Sequence, residues 1–281
     1  MRRNQNREAQ SNLLSLYLKN HSVGEVHSKF NSGLNVRFDD SLIYIGSISK
    51  PLSAFGLNIK EEKLKQMLNS VSTHDIVVNK DNKLFFYSIY EIISIDYKEI
   101  EKVNLKLPQI RCKLSEVPNT KLYSYLKKIE FGTLIGIELE DKTCKYVDLL
   151  LNSDKWDLNT NLEIINFFSG RGKGLTPSGD DILIGFTLAL MMFDKIYNWL
   201  EALESVITIN TTTMISVSYL KALIDGYTSE YFIELIKLVD EENIDVIEKI
   251  IKKVQSFGHT SGNDTLFGFF LGLKSLTKEL V

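Results

Sequence analysis

The sequence predicts an α+β fold: an N-terminal, mostly antiparallel β region followed by an all-helical C-terminal domain. Three observations predict it. Between residue 23 and about residue 107, apolar residues alternate with polar ones or form short apolar runs. Two of the four prolines, Pro108 and Pro118, then interrupt the periodicity. Beyond them apolar residues recur at helical spacing almost to the end. Strands first and helices second favour a segregated α+β arrangement over a doubly wound sheet. The predicted domains are residues 1–110 and 118–281, with the proline-bearing segment as the boundary.

Taken in order, Asn12 to Asn20 carries Leu13, Leu14, Leu16, Tyr17 and Leu18, the pattern of a short amphipathic helix. Gly24 to Phe30 and Leu34 to Phe38 alternate, and Leu42 to Ile45 is continuously apolar. Asn31-Ser32-Gly33 and Asp39-Asp40-Ser41 punctuate them as turns, so three short strands are expected. Glu61 to Leu68 reads as a helix. Strand character resumes at Ile76 to Val78, Leu84 to Tyr87 and Ile92 to Ile95, with Asn79 to Asn82 as a hairpin loop. Past the boundary, helices are expected around Leu122 to Ile129 and Leu162 to Phe168. Five more are expected at Trp199 to Ile207, Met214 to Ile224, Tyr231 to Val239, Ile244 to Val254 and Asp264 to Leu276. Gly132 to Asp148 has no clear period.

Composition bounds the function. The chain has 281 residues, 44% hydrophobic and 25% charged, with a net charge of -3. That is a globular composition without the basic footprint of a nucleic-acid binder. The basic Met1-Arg2-Arg3-Asn4 start precedes polar residues rather than an apolar run, so no signal peptide is expected. Ile182 to Phe193, the longest apolar stretch, is too short to span a bilayer. Cys112 and Cys144 are expected as reduced thiols. These readings place the chain in the cytoplasm, with neither nucleic acid nor membrane as a partner. His21, His27 and His74 have no ligand spacing to one another or to a cysteine, which argues against zinc.

The strongest local signal is the glycine-rich loop Gly170-Arg171-Gly172-Lys173-Gly174-Leu175-Thr176-Pro177-Ser178-Gly179-Asp180-Asp181. Thr176 suits an N-cap and Pro177 the first helical position. Glycines before a helix permit positive φ and close approach to backbone N–H groups. A helix N-terminus carries about half a positive charge and unpaired donors, which together suit an anion. Arg171 and Lys173 add positive charge. The loop lacks the Gly-Lys-Ser/Thr ending of a Walker A motif, and its glycine spacing is not that of a dinucleotide fingerprint. Taken singly, it reads equally well as a capped, flexible connector.

A second loop changes that balance. Ser178-Gly179-Asp180-Asp181-Ile182-Leu183-Ile184-Gly185-Phe186 aligns without a gap on Ser261-Gly262-Asn263-Asp264-Thr265-Leu266-Phe267-Gly268-Phe269, 83 residues later, with six of nine pairs identical. Ala189 then aligns with Gly272. A glycine inside a helix costs roughly 1 kcal/mol relative to alanine, so Gly185 and Gly268 require a packing reason. Small residues four apart let two helix backbones approach closely. The expectation is two buried helices crossing in pseudo-twofold fashion at these glycines. Their N-termini would then meet at one site that receives a small, phosphate-bearing anion. Similar buried helices alone would explain Leu183/Leu266 and Phe186/Phe269, but not the repeated polar ends.

Asp181 and Asp264 occupy equivalent positions in the repeat. Three roles stay open for them: binding Mg2+ beside phosphate oxygens, acting as acid or base, or holding the loops through backbone N–H groups. Asp180 has the additional reading of a carboxylate favoured by the helix dipole. His259, inside the second loop, is a candidate donor to phosphate or a carbonyl, with a solvent-facing loop histidine as the alternative. The candidate catalytic set is therefore Asp181, Asp264 and His259. The candidate ligand-binding set is Arg171, Gly172, Lys173, Gly174, Thr176, Ser178, Gly179, Asp180, Thr260, Ser261, Gly262 and Asn263. Ser178 and Ser261 lack the strand-turn-helix elbow of a hydrolase nucleophile.

Gly172-x-Gly174-Leu175-Thr176-Pro177-Ser178-Gly179-Asp180-Asp181-x-Leu183-x-Gly185 resembles the signature of the uncharacterised bacterial family that includes AllH. Gly258-x-Thr260-Ser261-Gly262-x-Asp264 resembles that family's C-terminal motif, and Ser218 to Gly226 fits the helix between the two. Gly24 to Ser28 and Pro51 to Ser53 fit more loosely. Lys173, where a smaller residue is common, and Asn263 depart from the pattern without breaking it. The resemblance implies a transferase subunit of purine (allantoin) catabolism, a carbamoyltransferase working beside AllG- and FdrA-type subunits. The implied reaction joins oxalurate and phosphate in one direction, oxamate and carbamoyl phosphate in the other. Two rival readings remain: an ATP-dependent kinase- or ligase-like enzyme, and a non-catalytic metabolite-binding subunit of a larger complex.

Overall fold

The computed structural model describes residues 7–19, 21–151, 157–196 and 198–278. The basic start at Met1 to Asn4 and the last residue of the first expected helix, Asn20, lie outside them. Two compact units emerge: Met1–Lys106 with Tyr227–Glu230, and Leu107–Gly226 with Tyr231–Val281.

The first unit is a nine-stranded sheet. Its strands are β1 (Ala9–Ser11), β2 (Val23–Phe30), β3 (Gly33–Phe38), β4 (Ser41–Ser47), β5 (Gly56–Ile59), β6 (Ile76–Lys80), β7 (Lys83–Tyr87), β8 (Ile92–Asp96) and β9 (Glu101–Val103). The spatial order is β8-β7-β6-β2-β3-β4-β5-β1-β9. Pairing is antiparallel except between β4 and β5 and between β1 and β9. The β6–β7 hairpin follows its turn chemistry. Asp81 and Asn82 both take positive φ, 54° and 62°, between the paired residues Lys80 and Lys83. That is the geometry a two-residue hairpin turn needs, and residues of these types tolerate it. Alternation sends Val26, Val36, Ile43, Ile45, Phe86 and Ile95 into one core. Helix α1 (Leu14–Leu18) and helix α2 (Glu61–Ser70) add Leu14, Leu18, Leu64 and Met67 to it.

The three shortest strands, β1, β5 and β9, are the ones that the sequence pattern does not predict. β5 is buried at every position, Asn58 included. Tyr227–Glu230 joins this unit because its backbone is tied there: Thr228 N–H donates to Leu105 O and Glu230 N–H to Leu52 O, both at 3.0 Å.

The second unit is helical. It contains α3 (Lys121–Leu126), α4 (Asp141–Leu151), α5 (Leu158–Phe168), α6 (Ser178–Met192), α7 (Trp199–Val206), α8 (Met214–Ile224), α9 (Glu230–Lys237, whose first residue belongs with the sheet), α10 (Ile244–Gln255) and α11 (Ser261–Lys278). The aperiodic segment at 132–148 resolves into a short helical turn, a loop through Gly136 and the start of α4. Local signals set several boundaries. Thr213 caps α8 by accepting from Ser216 N–H, and Asn243 caps α10 by accepting from Asp245 N–H. α10 buries Ile247, Ile251 and Val254, one stripe of an amphipathic helix. α6 is apolar nearly all round, and every residue from Ser178 to Leu190 is buried. Its one interior hydroxyl, Thr187, accepts a 2.8 Å bond from the Trp199 indole N–H, so the buried polar atom is satisfied. No helix among the described residues is long and apolar enough to cross a membrane.

Candidate functional site

α6 and α11 lie against each other, and their glycines are the reason they can. A Cβ built on Gly185 would collide with the backbone of Thr265 and Phe269, and one on Gly268 would collide with the backbone of Ile182. Ile182 and Thr265 are themselves equivalent in the repeat, so the two collisions are matching contacts related by the pseudo-twofold. Further along, a Cβ on Gly272 would lie 2.6 Å from that of Ala189. The small-residue stripe is therefore an interhelical contact in which backbone meets backbone.

This crossing brings the two polar helix starts together. Thr176 Oγ1 and Ser261 Oγ are hydrogen-bonded at 2.8 Å across the pair. Ser178 Oγ and Thr260 Oγ1 both crowd the Cα of Gly136, leaving no room there for a side chain. Gly136 N–H donates to Asp264 Oδ1 at 2.8 Å. The carboxyls cross over reciprocally. The hydroxyls of Ser261 and Thr176 act on Asp181, while those of Thr260 and Ser178 act on Asp264. Ser178 and Ser261 are equivalent in the repeat, so each aspartate is served by the first serine of the opposite helix.

Both carboxyls are buried, Asp264 completely and Asp181 to within 3%. Burial pushes Asp181 well above the usual carboxylate range, and the neighbouring charges of Asp264 and Asp180 push it further, against the hydroxyls that hydrogen-bond to it. Burial likewise raises Asp264, against bonds from Gly136, Thr260 and Ser178. In each, Oδ2 is buried without a hydrogen-bond partner. An unsatisfied buried carboxyl oxygen is costly unless it carries a proton or meets a ligand or ion.

Other residues singled out from the sequence stand elsewhere. Thr176 is not the N-cap: α6 begins at Ser178 with Pro177 in the cap position, because the Thr176 hydroxyl is engaged with Ser261 instead. Asp180 accepts from Gly170 N–H at 2.8 Å and, through a short bond, from the Thr212 hydroxyl. It thus ties the glycine-rich loop to the segment before α8. Its repeat mate Asn263 accepts from Gln255 Nε2 at 3.1 Å, tying the second loop to α10. The N–H groups of Gly179 and Gly262 close their own loops on Arg171 O and Phe257 O. Arg171 donates through Nε to Phe167 O and lies 4.0 Å over the Phe167 ring. Gly172, Lys173, Gly174 and His259 are exposed, and Gly170, Gly172, Gly174 and Gly258 all take positive φ. Gly136 and Thr212 escaped the sequence reading. For Gly136 the available signal was a glycine in a segment without period.

The anchoring role of Asp180 makes a direct prediction. Asp180→Ala leaves Gly170 N–H and the Thr212 hydroxyl without their acceptor, and should cost roughly 2–4 kcal/mol in chemical denaturation. Asp180→Asn keeps an acceptor, as Asn263 does in the repeat, and should cost under about 1 kcal/mol. Equal losses for the two variants would remove this role.

These features define an α+β protein whose helical unit is built on an internal loop–helix duplication, with the paired polar helix starts joined in one cluster. Residues 168–273, spanning both loops and the chain between them, match the family described as oxamate carbamoyltransferase subunit AllH. The chain resembles that family over this stretch, which takes in α6 to α10 and most of α11. A comparison with solved structures gives no significant match.

Proposed function

We propose that this chain is a carbamoyltransferase subunit that receives a phosphate-bearing small anion where α6 and α11 begin. The observation that carries the reading is the pair of buried aspartates, Asp181 and Asp264, each with a free Oδ2 and each wired to the opposite helix start. Two ionised carboxylates would repel an anion. Burial favours the protonated form of each; in that form they are donors instead, and the positive ends of α6 and α11 then act on the guest without opposition.

The reaction implied by the family resemblance needs such a donor. In the direction from oxalurate, a phosphate oxygen bonds to the carbamoyl carbon, the bond from that carbon to the oxamate nitrogen breaks, and the nitrogen takes up a proton. A carboxylic acid poised beside it supplies that proton, and the returning reaction takes it back. The hydroxyls of Thr176, Ser178, Thr260 and Ser261 orient the ligand and meet charge that develops on its oxygens. In their ionised form the unpartnered Oδ2 atoms instead suit Mg2+, which takes one or two protein carboxylates together with phosphate oxygens. Asp181 and Asp264 would hold it, and when bound it would supply charge neutralisation to the phosphate. Partner subunits of AllG and FdrA type and a cytoplasmic setting belong to the same proposal.

Isothermal titration tests it. Carbamoyl phosphate or inorganic phosphate should bind, with the heat lost in Asp181→Ala and Asp264→Ala. Absence of binding to either, with and without Mg2+, would remove the proposal. ATP binding that requires Mg2+ would replace it with a kinase- or ligase-like function. Activity that appears with partner subunits yet survives both alanine variants would make the chain a non-catalytic metabolite-binding subunit.

A further inference from the structure

The sheet unit carries a cavity of about 470 Å3 whose rim is basic, although the chain as a whole has a net charge of -3. Lys19, Lys80, Lys98 and Lys102 line it, and Asp81 is the one acid among the described residues of the lining. The four lysines arrive from separate segments: the end of α1, the end of β6, the connection after β8, and β9. All four are exposed, and none makes an ion pair with a described residue.

The floor is polar and held in place. Gln10 is buried and donates through Nε2 to Tyr97 O and Ile100 O, at 2.6 and 3.0 Å. Asn79 donates through Nδ2 to Leu18 O and His21 O, both at 2.8 Å, and accepts from the Tyr97 hydroxyl at 2.7 Å. These bonds join β1, α1, β6 and the segment after β8; the last three bring in Lys19, Lys80 and Lys98, and Lys102 lies on β9 opposite Gln10 of β1. The Tyr97 N–H bond to Asn82 O, 3.0 Å, ties in the hairpin tip as well.

The bonded floor fixes the backbone segments that carry the four lysines around one concavity, and Asp81 in the lining and Asp96 beside Lys98 offset only part of that charge. A concave wall predominantly of one sign concentrates multiply charged anions from solution. The volume falls in the range of small-molecule sites, roughly 300–1,000 Å3. Lysine acts as a mobile point charge, whereas planar two-point recognition of carboxylates is the province of arginine, which is missing among the described residues of the lining. We infer that this cavity is a second ligand site, separate from the helix-pair cluster, that takes the oligophosphate chain of a small molecule.

Inorganic triphosphate and ATP, titrated calorimetrically into the full chain at low salt, test the inference. Both should bind at one site with similar affinity, and binding should fall steeply as salt is raised. Lys80→Glu/Lys102→Glu should weaken both by at least tenfold while leaving the circular dichroism spectrum and Tm unchanged, since both side chains are exposed. Asp181→Asn should leave this binding intact, which separates it from the function proposed for α6 and α11. Failure of triphosphate to bind, binding of ATP alone, or binding indifferent to the charge reversal would each overturn it.

Discussion

Replacing Gly185 by alanine is expected to destabilise the helical unit by about 2–3 kcal/mol, the cost of overpacking a tight interior contact. The sign makes the prediction sharp. At an open helical position the same exchange gains roughly 1 kcal/mol, because alanine is the better helix former. Here the added methyl would run into the Thr265 carbonyl and the Phe269 amide, neither of which can rotate away as a side chain could. The two helices must separate, and the loss is spread over the apolar residues that flank the crossing. Gly268→Ala should cost a similar amount, since its methyl meets Ile182 in the equivalent way. The double variant should cost less than the sum, because one separation of the helices relieves both collisions. Denaturant titration at 25 °C checks all three. A neutral or stabilised Gly185→Ala would show that the glycines are not what admits the close approach.

The second large effect concerns Asp181 and pH. Its carboxyl is raised well above the ordinary value by burial and by the nearby aspartates. A carboxyl whose folded value lies above its unfolded one binds its proton more tightly in the native state. The stability this contributes is complete below about pH 4, the unfolded aspartate range, and is lost as pH rises through the folded value. Asp181→Asn does not titrate, so its stability curve should lie flatter than that of the parent. At pH 8 the variant should be more stable by the order of 1 kcal/mol, a Tm gain of roughly 2–4 °C in a chain of this size. Catalysis reconstituted with partner subunits should meanwhile fall by 10²-fold or more, the usual scale for losing a general acid. A variant stabler but inactive is the signature of a group kept for its chemistry. Parallel stability curves for parent and variant would mean that the site does not hold Asp181 in its neutral form.

Much of the fold was legible because it rests on local periodicity. The alternation in Leu34 to Phe38 and the helical stripe of Ile247, Ile251 and Val254 each name a buried face that the structure uses. Met214–Ile224 begins and ends where the sequence puts it. Strands β1, β5 and β9 were not legible. Three or four residues cannot display a period, and their pairing partners lie far along the chain: Ala9 meets Asn58 on one side and Glu101 on the other. The candidate site divides in the same way. Ser178 to Phe186 and its echo at Ser261 to Phe269 declare themselves as a repeat, whereas Gly136 enters only through its N–H bond to Asp264, 128 residues away.

By itself the sequence determined the order of sheet and helices and the existence of two like-built helix starts. It also determined the need for their glycines to meet another backbone, since periodicity and helix propensity act over a few residues and are written in residue types. Only the tertiary structure decided that Thr176 turns from capping to bond Ser261, that Asp180 and Asn263 serve their own loops, and that Asp181 and Asp264 lose their solvent. The reason is physical. A hydroxyl takes whichever partner packing brings within about 3 Å, and the charge state of a carboxyl depends on the water and charges around it rather than on its neighbours in the chain.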